Sequence, residues 1–256
     1  MHLRQKVRSG QRCVGGMVFE VFTPGIAQIM AQAGCEYVIY DMEHAGASIE
    51  TLKWQVAACK GVATPLARPP VGQYQYLARL LDIGMKGVMV PMVDSADEAA
   101  VVVEACRYPP EGRRGAAFGF QHDDYAPGAP ADKMKKANDE ILIIAQVETE
   151  RALANVDAIA ATPCVDVIWI GQFDLSNFLG VPGDFESKTY LDAWAEITAA
   201  ARKHGKAMGA MAANPEWAAD YAAQGIEMIA AGTDQGALIS GFTAITAPAK
   251  GGPAKG

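Results

Sequence analysis

The feature that most constrains the fold is an alternation of short apolar runs with longer helix-period segments, which continues along the whole chain. The apolar runs are typical of buried parallel strands, and they cover residues 15–22, 37–41, 64–68, 87–93, 141–147, 166–170, 207–212 and 227–231. Eight strands that alternate with eight helices over about 250 residues predict a (β/α)8 TIM barrel. An open doubly wound sheet would instead carry a glycine-rich phosphate turn after its first strand, and the pair Gly15-Gly16 comes too early for that.

We expect one domain, because no shift in composition and no Ser-rich linker divides the chain. The barrel is predicted to span residues 1–247, and residues 248–256, rich in Gly and Pro, are predicted to form a flexible tail. Residues 108–140 hold many Pro and Gly residues and are predicted to be the longest irregular segment. Irregular segments of this length in compact domains are often lids or binding loops.

Charge and composition exclude several classes of function. The formal net charge is −7 and no basic run occurs, which argues against a nucleic-acid partner. The polar start lacks the apolar core of a signal peptide, and no stretch approaches the roughly 20 apolar residues of a membrane span. The five cysteines form no CxxC pair, which is typical of reduced thiols and predicts a cytoplasmic protein.

Polar side chains gather at the predicted carboxyl ends of the strands, where barrel enzymes carry their active sites. They are Glu20, Asp41, Glu43, His44, Arg68, Gln146, Glu148, Gln172, Asp174 and Asp234. Burial of unpaired charge costs several kcal/mol, so this concentration exceeds what packing alone needs. The sequence therefore predicts chemistry at one mouth of the barrel.

Glu148 and Asp174 follow neighbouring predicted strands, so their carboxylates could meet across the mouth. Two such groups repel each other, which raises one pKa or recruits a cation. Without a histidine or cysteine beside them, the pair favours a hard divalent ion, Mg²⁺, Mn²⁺ or Co²⁺, with the remaining positions left to water and substrate. The alternative is that each acid forms a salt bridge or caps a helix.

His44 is the one histidine that lies beside carboxylates at a strand end, and it could act as a general base or acid with Asp41 or Glu43 fixing its tautomer. A structural histidine is the alternative. Arg68 could donate two hydrogen bonds to a substrate carboxylate or to a developing oxyanion. The alternative is a buried ion pair with Asp41 or Glu43, and Arg68 could do both. No lysine lies near the carboxyl end of a strand, so a Schiff-base mechanism lacks its nucleophile.

Several motifs in order along the chain resemble the HpcH/HpaI family of metal-dependent (class II) pyruvate aldolases. They are Asp41-Met-Glu-His44, Ala67-Arg68-Pro69, Val90-Pro91-Met92-Val93, Arg107 to Gly115, Gln146-Val-Glu148-Thr149 and Gly171-Gln-Phe-Asp-Leu-Ser176. The resemblance covers roughly residues 4 to 246. It implies a (β/α)8 barrel that reversibly cleaves a 4-hydroxy-2-oxo acid into pyruvate and an aldehyde.

The resemblance also implies roles for residues of this chain. Glu148 and Asp174 would hold one divalent ion per subunit, and no organic cofactor is expected. His44, oriented by Asp41, would be the base, and Arg68 would hold the keto oxygen and stabilise the enolate. The backbone of residues 171–174 would bind the pyruvate carboxylate, so the implied substrate-binding residues are Arg68, Gln146, Gly171, Gln172, Phe173 and Asp174.

Two segments depart from the family pattern. Gln172 and Phe173 stand where the family usually has Pro-Ala or Pro-Asn, which puts the preferred acid or acceptor in question. Residues 116–125 also differ from the dicarboxylate-cleaving members. We hypothesise that this segment and the seventh strand wall an aldehyde pocket, formed by Phe118, Phe120, His122, Tyr125 and Met211.

Family members assemble as hexamers, and residues 236–246 are apolar almost all round, so we expect a homo-oligomer. Two other functions stay open. One is a related enolate-forming lyase or decarboxylase, similar to citryl-CoA lyase or macrophomate synthase, although a CoA substrate would need a basic groove and Arg113-Arg114 is the only Arg doublet. The other is a catalytically silent barrel that binds a 2-oxo acid.

Overall fold

The computed structural model describes residues 1–250 and forms a closed barrel of eight parallel strands that pair in sequence order. This confirms the predicted (β/α)8 architecture. The strands are β1 (Cys13–Val18), β2 (Tyr37–Asp41), β3 (Thr64–Arg68), β4 (Gly87–Val90), β5 (Leu142–Val147), β6 (Val167–Ile170), β7 (Ala207–Ala212) and β8 (Met228–Thr233).

Helices surround the barrel. Within residues 1–250 they are α1 (Leu3–Arg8), α2 (Ile26–Gln32), α3 (Ile49–Cys59), α4 (Tyr74–Asp82), α5 (Ala96–Cys106), α6 (Pro130–Glu140), α7 (Glu150–Ala154), α8 (Val156–Ala161), α9 (Gln172–Phe178), α10 (Lys188–Lys203), α11 (Pro215–Ala223) and α12 (Asp234–Ala249). Ser48 and Ser95 accept hydrogen bonds from the backbone of Thr51 and Glu98, so each caps the first turn of its helix. No helix within this range is both long and apolar enough to cross a bilayer.

The apolar core has an inner part and an outer part. Inward-facing side chains such as Tyr37, Leu66 and Trp169 fill the barrel interior. Two further clusters pack the outer faces of the strands against the helices. Because both faces of each strand are covered, the strands read as continuous apolar runs in the sequence.

The amino-terminal end of the barrel is closed by α1, a helix that the sequence pattern did not predict. Leu3 and Val7 pack into the interior cluster. Between them, the Arg4 Nε donates to Asp166 Oδ1 at 2.9 Å, and Arg107 reaches the same buried carboxylate at 3.3 Å. The polar start of the chain therefore plugs the barrel instead of lying free in solvent.

Two predicted strands end earlier than expected. β1 stops at Val18 instead of Phe22, because its ladder to β8 ends at Met17 and Thr233. β4 stops at Val90 instead of Val93, since Pro91 lacks a backbone donor and the next residue has a φ of 53°. The backbone N–H groups beyond these strand ends bond to side chains instead: Met92 donates to Glu148, and residues 19–21 donate to Asp234.

The segment 108–140 is less irregular than predicted. Residues 121–123 form a single 3-10 turn, and residues 130–140 form α6. The prediction for the tail is also wrong at its start, because α12 continues to Ala249 with Pro248 inside it. Residues 251–256 of the predicted tail lie outside the described residues.

Gly209 provides a test of how tightly the interior is packed. It lies directly opposite Trp169 in the β6–β7 ladder, and a Cβ there would sit 2.2 Å from the indole Cε3. Gly209→Ala should lower the free energy of unfolding by about 1–3 kcal/mol in urea titrations, because the buried indole has nowhere to move.

Gly25→Ala is the matched control, since a Cβ at this position meets no atom within 4 Å. We expect it to change the free energy of unfolding by no more than about 0.5 kcal/mol. Equal stability of the two variants would contradict the described packing around Trp169.

Candidate active site

The ends of β2 and β3 form the rigid side of the barrel mouth. Asp41 and Arg68 are direct partners in the β2–β3 ladder, and the Nε of Arg68 donates to Asp41 Oδ1. The Arg68 Nη1 lies 3.0 Å from Glu43 Oε2. Asp41 is fully buried and Arg68 is 6% exposed, so the pair is held away from water. Arg68 therefore pairs with both Asp41 and Glu43, which is one of the two roles that the sequence left open.

His44 is close to these groups, but it is not oriented as predicted. Asp41 Oδ2 accepts from the backbone N–H of His44 at 2.7 Å, so Asp41 fixes the main chain and not the imidazole. The ring Nε2 lies 3.7 Å from Glu43 Oε2, and 56% of the side chain is exposed. Glu43 is thus the carboxylate next to the ring, and the imidazole is open to an incoming molecule.

The end of β5 provides a buried carboxylate. Glu148 is 1% exposed, and its Oε1 accepts from the backbone N–H of Met92 at 2.8 Å. The side-chain amide of Gln146 donates to its other oxygen. A Cβ on Gly171 would lie 2.1 Å from Glu148 Oε2, so only glycine fits beside this carboxylate. Sequence reasoning assigned no role to Met92, although it lies in the Val-Pro-Met-Val motif.

The charges at the mouth favour a cation. The pKa of Glu148 is raised to about 7, chiefly by burial and further by repulsion from Glu43 and Asp174. The hydrogen bonds from Met92 and Gln146 oppose this rise. Burial also raises the pKa of Glu43, which Arg68 opposes. The Oε1 of Gln146 is buried without a hydrogen-bond partner among residues 1–250. Clustered carboxylates beside an unpartnered amide oxygen are a donor set that suits a hard divalent ion.

This donor set is small. Within residues 1–250, no group of three or more His, Cys, Asp or Glu side chains is arranged to hold a metal. An ion at the mouth would therefore depend on the two predicted ligands, Glu148 and Asp174, with other positions left for water and substrate. That is the way in which Mg²⁺ is usually held in enzymes.

The segment after β6 forms a helix that the sequence analysis missed. α9 begins at Gln172, which is 3% exposed and donates from its side chain to the carbonyl of Met211 at 2.7 Å. Phe173 is 54% exposed, and its ring meets Phe185 edge-on at 5.2 Å. The two residues that depart from the family pattern thus anchor the turn to β7 and to the segment before α10.

Most of the predicted aldehyde pocket lies elsewhere. Residues 116–125 connect α5 to β5, and such a connection runs at the amino-terminal end of a barrel, opposite the mouth. Gln121 bonds to the carbonyl of Lys53 in α3, and Asp124 pairs with Lys60 at the end of that helix. The predicted aldehyde pocket is therefore wrong for four of its residues, because they do not line the mouth of their own barrel: Phe118, Phe120, His122 and Tyr125. Met211, at the end of β7, stays beside the mouth.

The comparisons with known proteins agree with this architecture. A sequence profile of the HpcH/HpaI aldolase/citrate lyase family matches residues 16–241. The 5-keto-4-deoxy-D-glucarate aldolase of Salmonella paratyphi C (strain RKS4594) is 36% identical over 217 residues, which cover 84% of this chain and 84% of that protein.

Two solved structures are similar over nearly their full length. An HpcH/HpaI aldolase from Desulfitobacterium hafniense DCB-2 superposes with a TM-score of 0.93 at 32% identity, covering 99% of this chain and 98% of that one. An HpcH/HpaI aldolase/citrate lyase family protein from Burkholderia cenocepacia J2315 superposes with a TM-score of 0.90 at 28% identity, covering 97% of this chain and 98% of that one. The resemblance seen in the sequence motifs is confirmed, and the chain belongs to the HpcH/HpaI aldolase/citrate lyase family.

Proposed function

We propose that this protein is a divalent-metal-dependent aldolase that reversibly cleaves 4-hydroxy-2-oxo acids to pyruvate and an aldehyde. The observation that carries the proposal is the buried Glu148 carboxylate, whose pKa is raised by burial and by repulsion from Glu43 and Asp174, at the same mouth as the Asp41–Arg68 pair. An anionic, oxygen-rich site beside one fixed guanidinium suits a substrate that must chelate a cation and develop negative charge on its keto oxygen.

The cleavage can be written with the residues of this chain. The exposed imidazole of His44 removes the proton of the C4 hydroxyl, directly or through a water. The C3–C4 bond breaks, C4 becomes the aldehyde carbon, and the bonding electrons pass into the enolate of pyruvate. Arg68 holds the enolate oxygen, and protonation at C3 completes pyruvate. Since Asp41 and Glu43 already fix the guanidinium, it needs little reorganisation in the transition state.

Glu148 and Asp174 are the residues that would hold the metal, which supplies Lewis-acid stabilisation of the enolate when bound. The identity of that ion is part of the proposal: Mg²⁺, Mn²⁺ or Co²⁺, one per subunit. The carboxylate of the 2-oxo acid is assigned to the backbone of residues 171–174 on the family resemblance. Gln146 would then lie beside the substrate, with its buried Oε1 available to it.

The substrate class follows from the same chemistry. The name of the Salmonella relative describes a 2-oxo acid with a hydroxyl group two carbons from the ketone, and such an arrangement undergoes retro-aldol cleavage to pyruvate and an aldehyde. We propose that this chain acts on the same arrangement of groups. Gln172 and Phe173 occupy the turn next to the metal ligands, so we expect them to influence which aldehyde is accepted.

The CoA-dependent alternative is not favoured. Arg114 is 3% exposed, and its Nη2 donates to Asp82 Oδ1 at 2.7 Å. Its guanidinium carbon lies 4.7 Å from the centroid of the Tyr108 ring. Both partners lie near the ends of α4 and α5, away from the mouth, so the Arg113-Arg114 pair does not form a basic groove there. The binding barrel without turnover is tested by the assay below.

Removal of the metal tests the proposal directly. Pyruvate release from a panel of 4-hydroxy-2-oxo acids, followed with lactate dehydrogenase, should stop in EDTA and return when Mg²⁺, Mn²⁺ or Co²⁺ is restored. The coupling enzyme is assayed alone under each condition as the control. Activity that persists in EDTA would overturn the metal assignment, and pyruvate binding without turnover on any substrate would favour the silent barrel.

Glu148→Gln tests the buried ligand without changing its shape. The amide keeps an acceptor for Met92 but removes the negative charge, so metal-dependent kcat should fall by about a hundredfold or more. Glu196→Gln, on the exposed face of α10, is the matched control and should match the wild type. A Glu148→Gln enzyme with full activity would show that this carboxylate holds no essential cation.

We also propose that the protein is a homo-oligomer built through α12. This helix exposes four large apolar side chains, Leu238, Ile239, Phe242 and Ile245, with exposures of 48%, 66%, 65% and 72%. Asp234 is its one buried residue among those described. A continuous apolar helix face is typical of a subunit interface, and the hexamers of the family make a second copy of this chain the expected partner.

The variant Ile239→Asp/Phe242→Asp should dissociate the oligomer, because it places two charges in the helix face that the subunits would bury against each other. Light scattering coupled to size exclusion measures the mass. Val101→Asp, which alters a single exposed apolar residue on α5, should leave the mass unchanged. A monomeric wild-type protein would refute the proposal.

A cytoplasmic location is a further proposal. It is supported by the five cysteines, all of which carry free thiols, as is typical of proteins from reducing compartments.

A further inference from the structure

A buried carboxylate at the start of α12 holds the loop that follows β1. The β1–β8 ladder ends at Met17 and Thr233, so the next backbone N–H groups have no strand partner. Asp234 replaces that partner: three consecutive N–H groups, those of residues 19–21, donate to its two oxygens at 2.9, 3.1 and 2.6 Å. Asp234 is 6% exposed, so these charge-assisted bonds are shielded from water.

The loop held in this way carries a ring that touches the proposed catalytic guanidinium. The Arg68 guanidinium carbon lies 5.5 Å from the centroid of the Phe19 ring. That distance is within the range of a cation–π contact. Two nitrogens of the same guanidinium are held by Asp41, the last residue of β2, and by Glu43, two residues further on. Phe19 differs from these two residues because its loop has no strand-to-strand hydrogen bonds. Its backbone is held by Asp234 instead.

We infer that Asp234 is a positioning residue for the proposed aldol reaction: it fixes residues 19–21, and through Phe19 it sets the plane of the Arg68 guanidinium. The inference rests on the proposed function, because it assigns to Arg68 the keto oxygen of the substrate. A small error in the direction of the guanidinium separates its N–H groups from that oxygen, and misplacement by about 1 Å can cost a hundredfold in rate.

A purely structural role is the competing explanation. An acid in the first turn of a helix stabilises the helix through its dipole, whatever lies beyond it. Asp132 is such an acid in α6, is exposed and lies outside the mouth, so Asp132→Ala is the matched control. A dipole role predicts similar small losses of stability for both variants and no selective loss of catalysis.

The first experiment compares Asp234→Ala with the wild type and Asp132→Ala, each loaded with Mg²⁺. We expect kcat/KM of Asp234→Ala for pyruvate release to fall by about tenfold or more while Asp132→Ala stays at the wild-type value. Formate fits the space left by the carboxylate and should restore activity severalfold to Asp234→Ala alone. A structural role gives no reason for such rescue.

Amide hydrogen exchange supplies a readout that does not depend on activity. The amides of residues 19–21 should be protected in the wild type, exchange at least about tenfold faster in Asp234→Ala, and become protected again in formate. If the wild type proves inactive, the proposed function fails, but the exchange measurement still decides whether Asp234 holds the loop. Unchanged exchange would overturn the inference.

Phe19→Leu keeps the question open to test even if Asp234→Ala does not fold. It removes the ring but retains an apolar side chain, and it should lower kcat/KM in the same direction. In the double variant the losses should be less than additive, because both changes act through Arg68. An active wild type combined with unaltered kinetics in Phe19→Leu or in folded Asp234→Ala would overturn the inference.

Discussion

The buried ion pair between Asp41 and Arg68 is the interaction on which the rest of the mouth depends. The two residues are ladder partners at the ends of adjacent strands, so barrel closure itself brings them together. Loss of one partner from such a buried pair typically costs about 3–5 kcal/mol. Asp41 also accepts from the backbone of His44, so one carboxylate fixes both a guanidinium and the turn that carries the imidazole.

The mouth as a whole has an excess of negative charge. Glu43, Glu148 and Asp174 act on one another, and Arg68 is the cation that offsets them in the described structure. Burial and repulsion together raise the pKa of Glu148 to about 7, which means that the folded protein holds this carboxylate at a free-energy cost. A bound divalent cation would remove that cost. The mouth thus carries more negative charge than Arg68 offsets.

The sequence predicted the architecture well because periodicity and strand ends are local signals. Buried parallel strands appear as apolar runs, and polar residues just after them mark the mouth, so Asp41, Arg68, Glu148 and Asp174 could be placed at the strand ends without coordinates. The orientation of side chains was less accessible. Nothing local indicates that Asp41 bonds to the backbone of His44, or that Asp234 reaches a loop more than two hundred positions earlier.

The wrong placement of residues 116–125 has a topological cause. The glycine and aromatic residues of this segment are typical of a binding loop, but its position after a helix assigns it to the amino-terminal end of the barrel. α9 was missed for a different reason. A seven-residue helix carries too short a pattern to be distinguished from a turn.

The proposed reaction requires that the mouth form the enolate of a 2-oxo acid with the help of a divalent ion. Exchange of the pyruvate methyl protons for deuterium, followed by proton NMR in D2O, tests it without knowledge of the aldehyde. The methyl signal should fade when the wild-type protein and Mg²⁺ are both present, and it should persist in EDTA or with Arg68→Lys. A methyl signal that persists with the fully loaded wild-type protein would contradict it.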